Sequence, residues 1–479
     1  MQVKEYIKGA NPYMPLWEHV PDAEPRVFEY NGEKRVYVYG SHDSMRNEYC
    51  GREYVSWSAP VDDLTNWTCH GICYVATDNS IMYAPDVVQK GDTFYMYAAE
   101  QRNSRIMVAK SKNPAGPFTD PVRAEVGCDV GVLVDDDGSV YAYWGFCECY
   151  AAQLNDDMAT IKEGTLRKHM IPHCYADFDF MKLETEHIGP EGGFFEAASP
   201  RKINGKYVFL YSHCYNKDMP EYGAGTNCAS FLSYCYSDSP LDGFVFGGDV
   251  SYNGGEIIPG ENGHNMRTFR QGNNHGGLME INGQWYIFYH RHTGPRDHAR
   301  QAMLEPVDVA MDKNGRIFIG DITYENGEPV SSKCVPMTSQ GPQVNGLDAY
   351  KIISAGYACH ISGAADDTII DTVYEESDSA STPIINIVNG TTAGFRYLQF
   401  GLNSAKTVTV KADALADIKV NVRIDNYKGK VIATLDMAKG ATEATANITS
   451  GTVGKHAIYF EFVSEAEGAI ANFDYFTFD

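Results

Sequence analysis

Residues 31–41 read NGEKRVYVYGS, a turn glycine followed by an alternating, aromatic-rich run, and the phrase returns four times. It recurs as KGDTFYMYAAE (90–100), DDGSVYAYWG (136–145), NGKYVFLYS (204–212) and NGQWYIFYH (282–290). Asn-Gly and Asp-Gly supply residues at ease with positive φ, which a two-residue hairpin turn requires, and period-two alternation marks a half-buried strand. The phrase is one hairpin, repeated. Its glycines, Gly32, Gly91, Gly138, Gly205 and Gly283, stand 59, 47, 67 and 78 residues apart. Those intervals are too long for lone hairpins and suit about four strands each. They predict a five-bladed β-propeller over residues 1–335, with an irregular β-sandwich as the alternative. No long stretch has helical periodicity, so the class is all-β.

The texture changes near residue 340, after MTSQGPQVNG. The aromatic phrase stops, and alternating runs rich in Ala, Thr and Val take over, such as KTVTVKA, IKVNVRI and KHAIYFEFV. Short strands separated by turn signals predict a second domain over residues 340–479, a jelly-roll-like β-sandwich. All five Trp (17, 57, 67, 144, 285) precede this boundary, which suggests a division of labour.

Bulk properties narrow the partner. The chain has 479 residues, 43% hydrophobic and 21% charged, the balance of a folded protein with a large core. A net charge of -24 would repel nucleic acid and anionic membrane, so a neutral small molecule or polymer fits better. Aromatics reach 12%, which suits strands and also surfaces that stack on sugar rings. The opening MQVKEYIKGANPYM lacks the apolar core of a signal peptide, and the expected location is cytoplasmic. The 12 Cys are irregularly spaced. Cys69 with Cys73, Cys147 with Cys149, and His173 beside Cys174 invite a metal reading, yet none has zinc-site spacing, and free buried thiols are expected.

Hydrolysis of a glycosidic bond needs two carboxyl groups, one protonated and one ionised. In a propeller the innermost strand of every blade lines the axis, so acids at strand starts can converge there. Three places qualify: Asp22 and Glu24 in PDAEPRVF, Asp86 in MYAPDVVQ, and Glu196 in GGFFEAASPRK. Glu196, flanked by Phe194 and Phe195, has the apolar surroundings that raise a carboxyl pKa. Each acid alone is more simply a turn residue or ion-pair partner. Three at equivalent positions are harder to dismiss.

Taken in order, the acid-Pro before the first blade, APD before the second, FFEA-S-PRK-NG-Y before the fourth, and NNHGG followed by ARQ resemble the family 43 glycoside hydrolases over residues 11–335. That resemblance implies an inverting enzyme on a five-bladed propeller, with many members acting on α-L-arabinofuranosides or β-xylosides. It implies Glu196 as general acid and Asp86 as the third acid that tunes it. His275 would lie near the axis, contacting substrate and holding a cation, commonly calcium, through waters; no organic cofactor is implied. Arg300 would reach the sugar or an acid. Where the family has Ala-Asp-Pro, this chain has Ala23-Glu24-Pro25. Alignment on the proline makes Glu24 the base, whereas residue type makes it Asp22, and strand alternation puts both on one side. Chemistry favours Asp22, leaving Glu24 to contact substrate or position Arg26. Trp17, Trp57, Trp144 and Phe195 are candidate sugar-stacking walls, and each could equally be blade core.

The expected function is release of α-L-arabinofuranose from arabinoxylan-derived oligosaccharides by an exo-acting enzyme. The alternatives are a β-xylosidase, an endo-arabinanase or a noncatalytic sugar-binding propeller. The second domain resembles a family 6 carbohydrate-binding module through its size, position and ending NFDYFTF. It lacks the Trp such modules use, and Tyr397 or Tyr475 would have to substitute. Oligomeric state is not readable from the sequence.

Overall fold

The computed structural model describes residues 7–43, 49–101, 105–171, 193–214, 230–260, 265–294, 298–371, 373–374 and 380–479. His173 and Cys174 lie outside the described residues. Among the described residues there is no α-helix, and the single 3-10 turn is Ala355–Tyr357. No described helix is long and apolar enough to cross a membrane.

Each repeated phrase is the turn and second strand of a hairpin. Gly32 joins Glu24–Tyr30 to Glu33–Tyr39, Gly91 joins Asp86–Lys90 to Thr93–Glu100, and Gly138 joins Gly131–Val134 to Val140–Trp144. Gly205 joins Gly193–Ile203 to Lys206–Cys214, and Gly283 joins Gly277–Ile281 to Gln284–His292. In the three Asn-Gly turns both residues have positive φ: Asn31 52° and Gly32 79°, Asn204 49° and Gly205 80°, Asn282 51° and Gly283 81°. That pairing is the type I′ turn, whose twist matches the flanking strands.

Every hairpin opens an antiparallel meander, and residues 24–333 form one such sheet after another, numbered here 1 to 5 along the chain. Among the described residues four of these have four strands and the last has five, and a two-stranded ribbon of Ile257–Pro259 and Asn265–Arg267 stands between sheets 4 and 5. Their first strands neighbour one another in cyclic order, with sheet 5 returning to sheet 1. A parallel bridge between Ala23 and Gly276 completes that return. The result is a β-propeller whose first strands surround the axis.

The second glycine of NNHGG makes the closure possible, and the first lets sheet 5 pack on itself. A Cβ on Gly276 would sit 1.8 Å from the Phe288 carbonyl oxygen, and one on Gly277 would sit 2.6 Å from Glu24 Oε2. At Gly277 only a residue without a side chain lets sheet 5 approach sheet 1 this closely.

The axis is clamped by two arginines. Arg26, from sheet 1, bonds Asp86 of sheet 2 through Nε (3.0 Å) and Nη2 (2.6 Å), and the Val132 carbonyl of sheet 3 (3.1 Å). Arg201, from sheet 4, bonds Glu24 (2.6 Å), the Pro25 carbonyl (3.0 Å) and the Leu278 carbonyl of sheet 5 (2.6 Å). Both arginines are buried. All five first strands are therefore tied by charge-assisted bonds in a dry interior.

Residues 347–478 form two facing sheets. One carries Thr392–Gln399, Lys455–Val463, Ile418–Ile424 and Val431–Met437, and the other Ile384–Ile387, Ala471–Phe478, Thr407–Ala414 and Glu443–Asn447. Alternating residues from both, including Phe395, Phe460, Phe473 and Phe476, fill the space between them. This is a β-sandwich. Its core continues into sheets 4 and 5, where Leu232, Leu278 and Met303 belong to the same apolar cluster. Arg291 of sheet 5 reaches the carbonyls of Gly356 and, at 2.6 Å, Ala358.

Candidate active site

The residue two positions ahead of a first strand points to the axis. In sheets 1, 2, 3 and 5 this residue is Asp22, Ala84, Asp129 and His275. All four line one cavity of about 500 Å³, joined by Glu196 of sheet 4 and by Asn273. Tyr49, Tyr83 and Phe146 are its aromatic walls, and Cys128 completes it.

Backbone conformation explains the acids. Asp22 and Asp129 both have positive φ, 58° and 52°. Asp is among the few side-chain residues that tolerate this region. The kink ends the alternation that would place Asp22 and Glu24 on the same side. Glu196 is aimed differently: sheet 4 breaks register on both sides of it, and Ala197 has φ 71°. A bulge of this kind turns a side chain out of the pleat.

Asp22 is held on three sides. Ser41 donates its hydroxyl to Oδ2. Arg300 approaches Oδ1 at 3.1 Å and Oδ2 at 3.2 Å. The Asp22 backbone N–H donates to His290 Nδ1 at 3.2 Å. His290 must then carry its proton on Nε2, which donates to the Asn273 carbonyl at 2.7 Å. Burial, with Arg300 and His292 beside it, holds His290 well below the ordinary histidine range. Asp22 therefore sits against a neutral imidazole and a fixed cation.

Glu196 is the group poised as an acid. Burial, then the charges of Asp129 and Asp22, pushes its carboxyl well above the ordinary range, against the opposing pull of Arg300. Asp129 is also raised, by burial and by Asp22, with His275 opposing; His275 Nδ1 lies 3.7 Å from its Oδ2. Three acids share one cavity, and mutual repulsion keeps one of them protonated.

Two of the expected acids stand elsewhere. Asp86 is not at the cavity. It opens its strand opposite Tyr97 just as Glu24 opens its strand opposite Tyr39, so Asp86 is the counterpart of Glu24 and Ala84 the counterpart of Asp22. Asp86 accepts from Arg26 and from the backbone N–H of Val87 and Val132. Glu24, likewise, is buried against Arg201 and, at 3.2 Å, Arg26, away from the cavity. Its ion pairs outweigh the burial that opposes its charge and hold its carboxyl below the usual range. The third acid in the cavity is Asp129, which the sequence reading missed. Its signal was the register of Asp129-Val130-Gly131 against Asp22-Ala23-Glu24.

The aromatic candidates divide between core and surface, and none of the four lines the cavity. Trp57 is 5% exposed and packs in the core with Val38 and Leu304. Trp144 is buried and stacks on Tyr150 at 5.9 Å. Trp17 is exposed and does not line the cavity. Phe195 stands edge-on to Phe146 at 5.0 Å, and Phe146, not Phe195, forms the wall. Arg300 does not line the cavity either; it lies under the Tyr49 ring, 4.3 Å from its centre, and grips acids rather than open space. In the sandwich, Tyr397 is partly buried with the Lys455 amine 5.1 Å from its ring centre, and Tyr475 is partly buried. The described cysteines are free thiols.

No group of three or more His, Cys, Asp and Glu among the described residues could grip a metal directly. The residues at and around the axis do suit a hydrated cation. Alongside the His275 imidazole, three buried oxygens have no hydrogen-bond partner among the described residues: Glu24 Oε2, Asn273 Oδ1 and Asn274 Oδ1. Oxygen-rich surroundings with few direct ligands suit calcium with its waters.

An aromatic-walled cavity with three carboxyl groups, one held protonated, is equipped for acid–base hydrolysis of a sugar. Residues 23–314 match the glycosyl hydrolases family 43, and the chain belongs to that family. Residues 363–479 match the family 6 carbohydrate-binding module. A xylosidase/arabinosidase of Thermoclostridium stercorarium is 30% identical, over 97% of this chain and 98% of that one. An arabinoxylan arabinofuranohydrolase of Bacillus subtilis is 25% identical, over 99% of this chain and 93% of its own. A solved family 43 β-xylosidase/α-arabinofuranosidase from a compost metagenome, in complex with xylotriose, aligns at 24% identity with a TM-score of 0.46, covering 64% of this chain and 96% of that one.

Asp129→Asn is expected to shift the pH dependence. Removing its charge takes away one of the influences that raise Glu196, so Glu196 loses its proton at lower pH. The alkaline limb of kcat/KM moves toward acid, measured on an aryl glycoside whose phenol needs protonation to leave. An unchanged limb would separate Asp129 from the acid.

Proposed function

We propose that the chain is an inverting, exo-acting α-L-arabinofuranosidase that trims arabinofuranose from arabinoxylan-derived oligosaccharides. Asp22 takes a proton from the attacking water, Glu196 gives one to the departing oxygen, and Asp129 keeps Glu196 protonated until it is needed. The observation that carries this is the convergence of Asp22, Asp129 and Glu196 on one aromatic-walled cavity of about 500 Å³, a size within the range of small-molecule sites. Tyr49, Tyr83 and Phe146 offer the faces on which a sugar ring packs. A hydrated calcium ion at the axis would be held through His275, with Glu24 Oε2 oriented by it, and would supply fixed positive charge near the carboxyl groups.

The arabinose assignment draws on the similarity to the arabinoxylan arabinofuranohydrolase of Bacillus subtilis, which aligns with 99% of this chain. The double name of the Thermoclostridium stercorarium relative favours β-xylosidase as the second reading. A panel of 4-nitrophenyl α-L-arabinofuranoside, β-D-xyloside and β-D-galactoside, with arabinoxylan oligosaccharides, decides between them. The first reading expects arabinose release to exceed xylose release at least tenfold in kcat/KM. Xylose as the main product would replace it with the second.

A further inference from the structure

The general base is oriented by a three-residue segment outside the cavity, Ser41-His42-Asp43. Ser41 donates to Asp22. Asp43 takes three bonds from Arg300: backbone N–H (3.0 Å) and Nε (3.1 Å) to Oδ2, and Nη2 (3.0 Å) to Oδ1. Its own N–H donates to the His19 carbonyl at 3.0 Å. Gly40 brings this segment alongside the base, since a Cβ there would fall 2.1 Å from the Pro21 carbonyl oxygen. Two of the groups that fix Asp22, the Ser41 hydroxyl and the Arg300 guanidinium, thus depend on where residues 41–43 lie.

His42 anchors that segment. Its Nε2 lies 3.1 Å from Glu18 Oε1, in the stretch leading into sheet 1, and its Nδ1 lies 3.2 Å from Glu53 Oε1, on the third strand. Glu18 Oε1 also accepts the His19 N–H at 3.0 Å. A neutral imidazole donates through one nitrogen only, and the lone pair of the other would then face a carboxylate oxygen. Both contacts hold together only for the imidazolium. Burial opposes that charge, but Glu18 and Glu53 outweigh it and hold His42 above the ordinary histidine range.

We propose that His42 is a positioning residue of the reaction: its doubly donating imidazolium latches Ser41 and Asp43 so that Asp22 and Arg300 stay in register with Glu196. This rests on the reading of Asp22 as base. The sign follows from the geometry. The latch is closed while His42 is protonated and opens as pH rises through its pKa, so kcat falls on the alkaline side for a reason unrelated to Glu196.

An aryl glycoside with a strongly acidic phenol separates the two causes, because its leaving group needs no proton from Glu196. With that substrate the wild-type enzyme is expected to keep an alkaline limb in kcat. His42→Gln is expected to lose between about 10- and 100-fold in kcat with little change in KM, and to show no such limb. Glu53→Gln removes one of the two carboxylates on the ring and is expected to move the limb to lower pH, which a merely structural contact would not do. Thermal melting of each variant shows that it is folded. A wild-type profile without the limb, His42→Gln with wild-type kcat and limb, or Glu53→Gln with an unmoved limb would each overturn the proposal. Asp22→Ala with wild-type turnover would instead remove the base assignment, and the inference with it.

Discussion

Glu196→Gln is expected to fold and melt like the wild-type protein and to lose about 10²- to 10⁴-fold in kcat on natural oligosaccharides. The amide keeps the size and polarity of the acid but has no proton to give. Glu196 lies in the cavity wall beside Asp22 and Asp129, whose charges hold its carboxyl in the protonated form, so a neutral amide replaces a neutral acid. Stability should therefore be unchanged. The loss depends on the leaving group. An aryl glycoside with an acidic phenol departs without help, so its kcat should fall far less than that of an arabinoxylan oligosaccharide. Equal losses on both substrates would remove Glu196 from the acid role.

Asp86→Ala is expected to behave in the opposite way. Asp86 is buried, meets Arg26 through both its oxygens and accepts the Val132 N–H at 2.7 Å. Its removal leaves the Arg26 guanidinium with Glu24 alone, 3.2 Å away and already bonded to Arg201, and breaking a buried pair costs about 3–5 kcal/mol. The clamp that ties sheets 1, 2 and 3 is then open on one side. Denaturant unfolding should show a large loss of stability. Protein that remains folded should keep the wild-type pH profile, since Asp86 is absent from the cavity. A variant of normal stability with a displaced alkaline limb would return Asp86 to the acid machinery.

The contrast between Glu196 and Asp86 shows what the sequence could express. Turn chemistry is local, so Asn31-Gly32, Asn204-Gly205 and Asn282-Gly283 announced their hairpins and, by repetition, the propeller. The apolar flanks of Glu196 marked it as a carboxyl in a raised-pKa setting. The proposed base was legible only as a choice between two residues. Alternation assumes an extended chain, whereas Asp22 sits at φ 58°, and that one dihedral sends Asp22 to the cavity and Glu24 to Arg201. The same kink hid Asp129, because its strand, Gly131–Val134, is short and starts on a glycine instead of an acid. Asp86 was attractive because it directly opens a strand, which is the position of the clamp and not of the chemistry.

Aromatic residues misled for a related reason. Trp57 and Trp144 lie on strands whose faces pack between sheets, so burial consumes them. The cavity walls come from Tyr49, Tyr83 and Phe146, which lie outside the named strands, where alternation gives no facing. Loops place function, and period-two reasoning does not reach them.

The assignment of Asp22 as the group that holds the attacking water is tested most directly by chemical rescue. In Asp22→Ala the base is gone and the space beside the anomeric carbon is open. Turnover of an activated aryl glycoside should fall at least about 100-fold, and added azide should restore much of it. The azide attacks from the vacated side, the phenolate leaves, and the product is a glycosyl azide of inverted anomeric configuration, read by NMR. Wild-type turnover in Asp22→Ala without azide would contradict the account, and so would a rescued product of retained configuration.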